Sequence, residues 1–330
     1  MKSRYNSLVL FLLFSLLLPA CSPTAAPEPE EQELVPLKLV SLPFLSFAPL
    51  HIAVEEGYFK EQGLDVELIS FERGADAFTA LIGNDVDVWA GGISATLFNA
   101  IARSDIRIVA GRGYFPADEC GYSAHLLKKE LYEEGVVNIP EDLAGLRIVQ
   151  DDEGSYRDYG LRMLLAEGNL SLDDVDILTV PDPSLVDGFL DGSIDLAAVT
   201  EPRITTILGT DSAVRWKTFG ELIPDFQFGF VVFSSRLIEE EPQIGEKFIA
   251  AYLEGLEQYS EGRTEQNIKI LTAATGLEPA ALESACWPEY HTDGQINVES
   301  ILTFQEWLVQ EGYLESVVEP ENFMDPSFID

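Results

Sequence analysis

From residue 37 onward, short apolar runs rich in β-branched residues alternate with stretches whose apolar residues recur at three- and four-residue steps. The first pattern predicts half-buried or buried strands, the second amphipathic helices. Strands are predicted at 37–41, 66–71, 86–90 and 106–110, with helices at 50–56, 75–82 and 94–102 between them. A second unit of the same kind begins near Gly121. It has strands at 146–150, 176–180 and 194–199 and helices at 158–167 and 185–190. A further strand at 228–233 precedes helices at 242–259, 264–274 and 300–310. Strand–helix alternation of this kind is the signature of an α/β protein, most economically built on parallel strands with helical crossovers. Asp-Val-Asp-Val at 85–88 is echoed by Ser-Ile-Asp-Leu at 193–196, so the two units look like variants of one design. They predict two lobes with a cleft between them. Lobe 1 comprises 37–120 and 228–330, lobe 2 comprises 121–227, and the chain crosses between them twice.

The N-terminus breaks this pattern. A basic start, Met1-Lys2-Ser3-Arg4, precedes an almost unbroken apolar run from Leu8 to Leu18. The run is short for a bilayer span, which takes about 20 residues, and fits the apolar part of an export signal. Leu18-Pro19-Ala20-Cys21 then resembles a bacterial lipobox, with proline where a small residue is usual. Residues 1–21 thus read as a lipoprotein signal with Cys21 as the lipidated residue. Residues 22–36, rich in Pro, Glu and Ala, read as a flexible tether. The expected location is the outer side of the cell membrane, held by a lipid anchor. That compartment permits disulfides, and Cys120 and Cys286 remain either as one pair or as two buried free thiols.

Composition narrows the function further. With 57 acidic against 20 basic residues the formal charge is −37, which excludes nucleic acid as a natural partner because phosphate binding needs Lys and Arg. No Gly-x-Ser-x-Gly elbow, phosphate loop or His-Glu-x-x-His zinc pair occurs. The three histidines, His51, His125 and His291, are not at metal-ligand spacing. The chain therefore reads as a binding protein with no metal, cofactor or catalytic residue.

One stretch carries a resemblance. Ile52-Ala53-Val54-Glu55-Glu56-Gly57-Tyr58-Phe59-Lys60-Glu61-Gln62-Gly63-Leu64-Asp65-Val66 resembles the periplasmic binding proteins of nitrate, sulfonate, taurine and thiamin-pyrimidine importers. The likeness continues through Gly83 to Val88, Gly91-Gly92-Ile93-Ser94, Asp142 to Val149, Gly192 to Ala197 and Glu201-Pro202. It implies the two-lobed periplasmic binding protein fold (type II): two parallel-core sheets and a double-crossover hinge. It also implies a monomeric carrier that closes on a small molecule and hands it to an ABC permease in the membrane.

Ligands of open α/β sheets sit at the carboxyl ends of strands. That rule selects the loop 42–51 with Phe44 and Phe47, the Gly91–Ser94 turn with Ser94 as helix cap, the loop with Tyr156 and Arg157, and Glu201. Trp89 and Tyr114 from the first lobe and Phe228 from the return crossing complete the expected ligand-binding set. For each aromatic residue core packing is the competing role. Aromatic faces with acidic groups nearby suit a flat heterocycle, and among relatives a riboflavin-binding lipoprotein branch fits best. A thiamin pyrimidine precursor, an alkanesulfonate or nitrate are the alternatives. A pyrimidine-synthesising enzyme of the same fold is the further alternative, though the export signal argues against it.

Overall fold

A computed structural model of the chain describes residues 33–329 apart from 43, 72–73 and 118–119. The expected export signal at 1–21, Cys21 and most of the expected tether at 22–36 lie outside the described residues. Leu34–Asp330 forms one compact unit containing two five-stranded sheets.

In the first sheet the strand order is Leu64–Ile69, Val35–Val40, Val88–Gly92, Gly229–Phe233, Arg107–Gly111. The first three strands run parallel, and Gly229–Phe233 is inserted antiparallel between its two neighbours. The second sheet repeats this plan with Asp176–Leu178, Arg147–Val149, Leu196–Thr200, Ser123–Lys128 and Ala213–Thr218, the last two antiparallel to their neighbours. In each sheet one antiparallel strand thus lies between three parallel strands and a fifth that runs in their direction. Gly229–Phe233 follows directly on the strand Phe226–Gln227 without a helical crossover and enters the first sheet antiparallel to both neighbours. A short ribbon pairs Phe226–Gln227 with Tyr114–Phe115 where the chain passes between the sheets.

Alternation along the strands sorts side chains between two packed layers. Val88, Ala90, Val231 and Phe233 meet the helices Ala48–Glu56 and Pro242–Ser260, while Trp89, Phe230 and Val232 face the opposite layer. The echoed motif has a shared job. Asp87 Oδ2 accepts the backbone N–H of Lys38 at 2.8 Å, and Asp195 Oδ2 accepts that of Arg147 at 3.0 Å. In each sheet the motif's aspartate ties down the backbone of the neighbouring strand.

Besides the two short ribbon strands, two strands of the five-stranded sheets escaped the sequence pattern. Ser123–Lys128 has no β-branched residue, and Ala213–Thr218 is an edge strand with interleaved basic residues. The two sheets meet without a solvent gap along part of their border. Ala95 N–H bonds Gly154 O at 2.9 Å, and a single β-bridge joins Ser94 to Ser155. Gly154 sits at φ +72°, where a Cβ would lie 2.8 Å from that of Ala95, so glycine allows this close approach. Among the described residues no helix is long and apolar enough to cross a membrane.

Candidate functional site

The carboxyl ends of the strands from both sheets converge on a cavity of about 110 Å³. Val35–Val40 leads into Leu42, Phe44, Ser46 and Phe47. Val88–Gly92 ends on Gly91 and Gly92, and Arg107–Gly111 runs into Arg112. The second sheet contributes Asp151, Tyr156 and Arg157 after Arg147–Val149, and Thr200 at the end of Leu196–Thr200. Tyr122 and Phe228, from the two crossings, close the wall.

Of the residues expected from sequence, Phe44, Phe47, Tyr156, Arg157 and Phe228 line this cavity. Their surroundings fix their aim. Phe228 stacks on Phe115 at 4.5 Å and on Tyr122 at 5.2 Å. Gly113, at φ +89°, leaves the space that the Phe228 ring fills, since a Cβ there would fall 2.3 Å from it. The Tyr156 hydroxyl bonds Thr200 Oγ1 at 3.0 Å, and Thr200 in turn bonds Ser123 Oγ at 2.8 Å. Arg157 is held by two carboxylates, bonding Asp151 through Nε and Nη2 at 2.9 and 2.8 Å and Asp182 through Nη1 at 3.0 Å. Burial opposes its charge, but Asp151 and then Asp182 outweigh it and raise its pKa. With both carboxylates engaged, Arg157 is a structural clasp more than a free ligand donor.

Four expected residues lie off the cavity wall. Trp89 is buried against Phe78 at 4.5 Å, its ring over Gly91. Ser94 accepts the N–H of Leu97 at 3.3 Å as the cap of Ala95–Ile101. Tyr114 stacks on His291, with ring centres 4.3 Å apart, beside a separate hollow. Glu201 is fully buried beneath the wall, where its carboxylate accepts Thr205 N–H and Oγ1–H at 3.0 Å. Trp89 and Ser94 take the roles set against ligand contact, packing and capping, while Tyr114 stays half-buried and Glu201 is engaged by Thr205. Cys120 and Cys286 are joined as a disulfide with Cα atoms 5.5 Å apart.

Sequence reasoning missed Arg112. It is 2% exposed and donates through Nη1 to Ser46 O and Oγ, both at 2.6 Å. Its guanidinium lies 4.3 Å from the centre of the Phe47 ring, a cation–π contact. Nε has no hydrogen-bond partner. The contrast with the other buried charges is sharp. Asp87 pairs with Arg236, Asp158 with Arg162, Asp195 with Arg147 and Glu201 with Arg215, at 2.6–3.4 Å. Among the described residues Arg112 has no carboxylate within ion-pair distance. An uncompensated buried ion costs several kcal/mol, so this one marks the cavity as more than a packing gap. The signal in the sequence was slight: an arginine flanked by glycines immediately after a strand.

Tyrosines surround Arg112, and the acid on the same cavity wall, Asp151, is engaged by Arg157 and Ser155. Tyr290 donates to Ser46 O at 2.9 Å and Tyr252 to Gly111 O at 2.9 Å, and Tyr122 lines the same cavity. Burial, reinforced by Tyr156, pushes the Tyr122 hydroxyl above its ordinary range, so it stays neutral. Behind the wall His125 is fully buried against Phe219, with both ring nitrogens unpartnered. Desolvation lowers its pKa to about 3. Among the described residues no group of His, Cys, Asp or Glu is arranged to hold a metal ion.

The model of the NMT1-like family matches residues 30–274. A binding protein of Brucella abortus (strain 2308) is 25% identical over 236 residues, covering 71% of this chain and 69% of its own. Among solved structures, the ligand-binding component of an ABC-type import system from Staphylococcus aureus superposes with a TM-score of 0.75 at 16% identity. The alignment covers 89% of this chain and 98% of that one. The desulfurization enzyme DSZB shares the fold with a TM-score of 0.64 at 16% identity, over 89% and 97% of the two chains. Carriers and at least one enzyme thus use this architecture.

Proposed function

The chain belongs to the NMT1-like family, and on that premise we propose that it is the solute-binding component of an ABC-type importer. It takes up a small molecule between its two lobes, 37–120 with 228–330 and 121–227, and delivers it to the permease. The observation that carries this reading is the cavity at the strand ends, walled by both sheets and lined with aromatic faces around one buried cation. Ligand sites are concave, mostly apolar, and hold a few oriented polar groups. Lipid anchoring at Cys21 belongs to the same proposal and rests on the sequence of residues 1–21.

The aromatic walls support a flat or conjugated solute. The volume supports a compact one: about 110 Å³ falls below the roughly 300–1,000 Å³ of pockets for drug-sized ligands. Riboflavin, favoured from the sequence, has a three-ring system that exceeds this space in the present arrangement of the sheets. We therefore rank a small solute with an oxyanion group ahead of riboflavin and of a thiamin pyrimidine precursor.

The test is a thermal-shift and calorimetric titration with riboflavin, an aminopyrimidine, taurine, ethanesulfonate, nitrate and hydrogencarbonate. A carrier shows a concentration-dependent rise in melting temperature with stoichiometric, unaltered ligand, because binding to the folded state adds stability by mass action. Chemical conversion of a solute would replace the carrier by an enzyme. A Cys21→Ala variant tests the anchor: it is expected to move from the membrane to the soluble extracytoplasmic fraction.

A further inference from the structure

We infer that Arg112 is the charge-selecting residue of the cavity, and that the solute carries one negative charge on a compact carboxylate- or sulfonate-like group seated against it. The inference rests on the reading of the cavity as the solute site. Four observations converge on it. First, the guanidinium is buried at the cavity wall with Nε unpartnered. Second, every other charged side chain of comparable burial has an opposite charge beside it, and Arg112 has none among the described residues.

Third, the neighbouring acceptor is already saturated. The Ser46 carbonyl has two lone pairs and accepts both Arg112 Nη1 and the Tyr290 hydroxyl. A guanidinium carries five N–H donors, and among the described residues Nε is left with no acceptor. Fourth, the side chain is kept in place without a carboxylate. The Phe47 face on one side and Ser46 on the other hold the fork, so it is pre-organised for a planar oxyanion. The second arginine on the wall does not compete for this role, because Asp151 and Asp182 already hold it. The Asp151 carboxylate is likewise engaged by Arg157 and by the Ser155 hydroxyl, which limits its repulsion of an anion.

The experiment uses matched pairs that differ in charge more than in shape: benzoate with benzamide, and ethanesulfonate with ethanesulfonamide. Hydrogencarbonate and riboflavin are added as a small anion and a neutral ring. Each is titrated into the wild type, Arg112→Gln and Arg112→Lys. In the wild type at least one anion is expected to bind about tenfold or more tightly than its neutral partner, since a neutral ligand leaves the buried cation uncompensated. Arg112→Gln is expected to abolish that preference, and Arg112→Lys to retain it at lower affinity for want of the fork. The wild-type comparison stands even if a variant fails to fold. Equal binding of charged and neutral partners, or tight riboflavin binding indifferent to Arg112→Gln, would overturn the charge assignment and leave the carrier reading intact. A panel in which no member shifts the melting temperature would overturn both.

Discussion

The carboxylate of Glu201 accepts the backbone N–H of Cys286 at 3.2 Å, joining two residues 85 positions apart. Glu201 belongs to the turn after Leu196–Thr200 in the second sheet. Cys286 lies in the C-terminal segment and is tied by its disulfide to Cys120 on the crossing between the sheets. Arg215 adds to the junction, donating to Cys120 O at 2.8 Å and to Glu201 at 3.4 Å. Expected as a ligand contact, Glu201 instead ties three separate parts of the chain together.

Glu201→Ala is expected to lower stability by about 1–3 kcal/mol, because buried donors lose their acceptor. Burial raises the Glu201 pKa against the opposing bonds from Thr205 and Cys286. A carboxyl raised on folding favours the folded state below its ordinary value of 4.5, and that contribution is lost as pH rises through the folded value. The stability of wild type relative to Glu201→Gln should therefore fall between pH 4.5 and neutrality. Denaturant melts of both proteins across that range measure it, and a gap that widens with pH would reverse the sign argued here.

Desolvation lowers His125 to about 3, so it is neutral in the fold and takes a proton once unfolded. Its contribution to stability is full above pH 6.5 and declines below it, by up to about 1.4 kcal/mol per pH unit. His125→Leu should show a flatter acid limb between pH 6.5 and 4 than the wild type. Parallel limbs would show that His125 is accessible to solvent protons in the folded state.

The aromatic wall divides into residues that carry stability and one that need not. Phe228 and Phe47 are buried, and their alanine variants should lose about 3–5 kcal/mol. Phe47 packs against the Arg112 guanidinium, so Phe47→Ala should lower stability together with binding. Phe44 is only half-buried, so Phe44→Ala should weaken solute binding with a smaller change in melting temperature. Paired melting and titration curves separate the two effects.

Cys120 and Cys286 are 166 positions apart. Closing so long a loop restricts the unfolded chain, so replacing both cysteines with serine should cost about 2–5 kcal/mol. Chemical denaturation of the double variant checks this, and an unchanged midpoint would mean that the bond constrains the unfolded chain little.

Much of the fold was legible because strands and helices announce themselves locally. The runs at 86–90 and 194–199 are β-branched and flanked by turns, and helices such as 242–259 keep their apolar face over many turns. Ser123–Lys128 was not legible, since a central strand without β-branched residues draws its support from pairing with Ala213–Thr218 and Leu196–Thr200. The topology rule that sites gather at strand ends found Phe44, Phe47, Tyr156, Arg157 and Phe228 from the sequence. It also selected Ser94 and Glu201, which sit at the right ends but point into caps and clasps.

By itself the sequence determined the alternation of elements, the repeated aspartate motif and the loops that gather around the cavity, because these follow from backbone periodicity and chain order. Only the tertiary structure decided which charges are compensated. Arg157 and Arg112 look alike along the chain, yet two aspartates surround one and tyrosines with a filled carbonyl surround the other. Compensation is a sum over neighbours in space, many of them distant in sequence, and no local pattern records it.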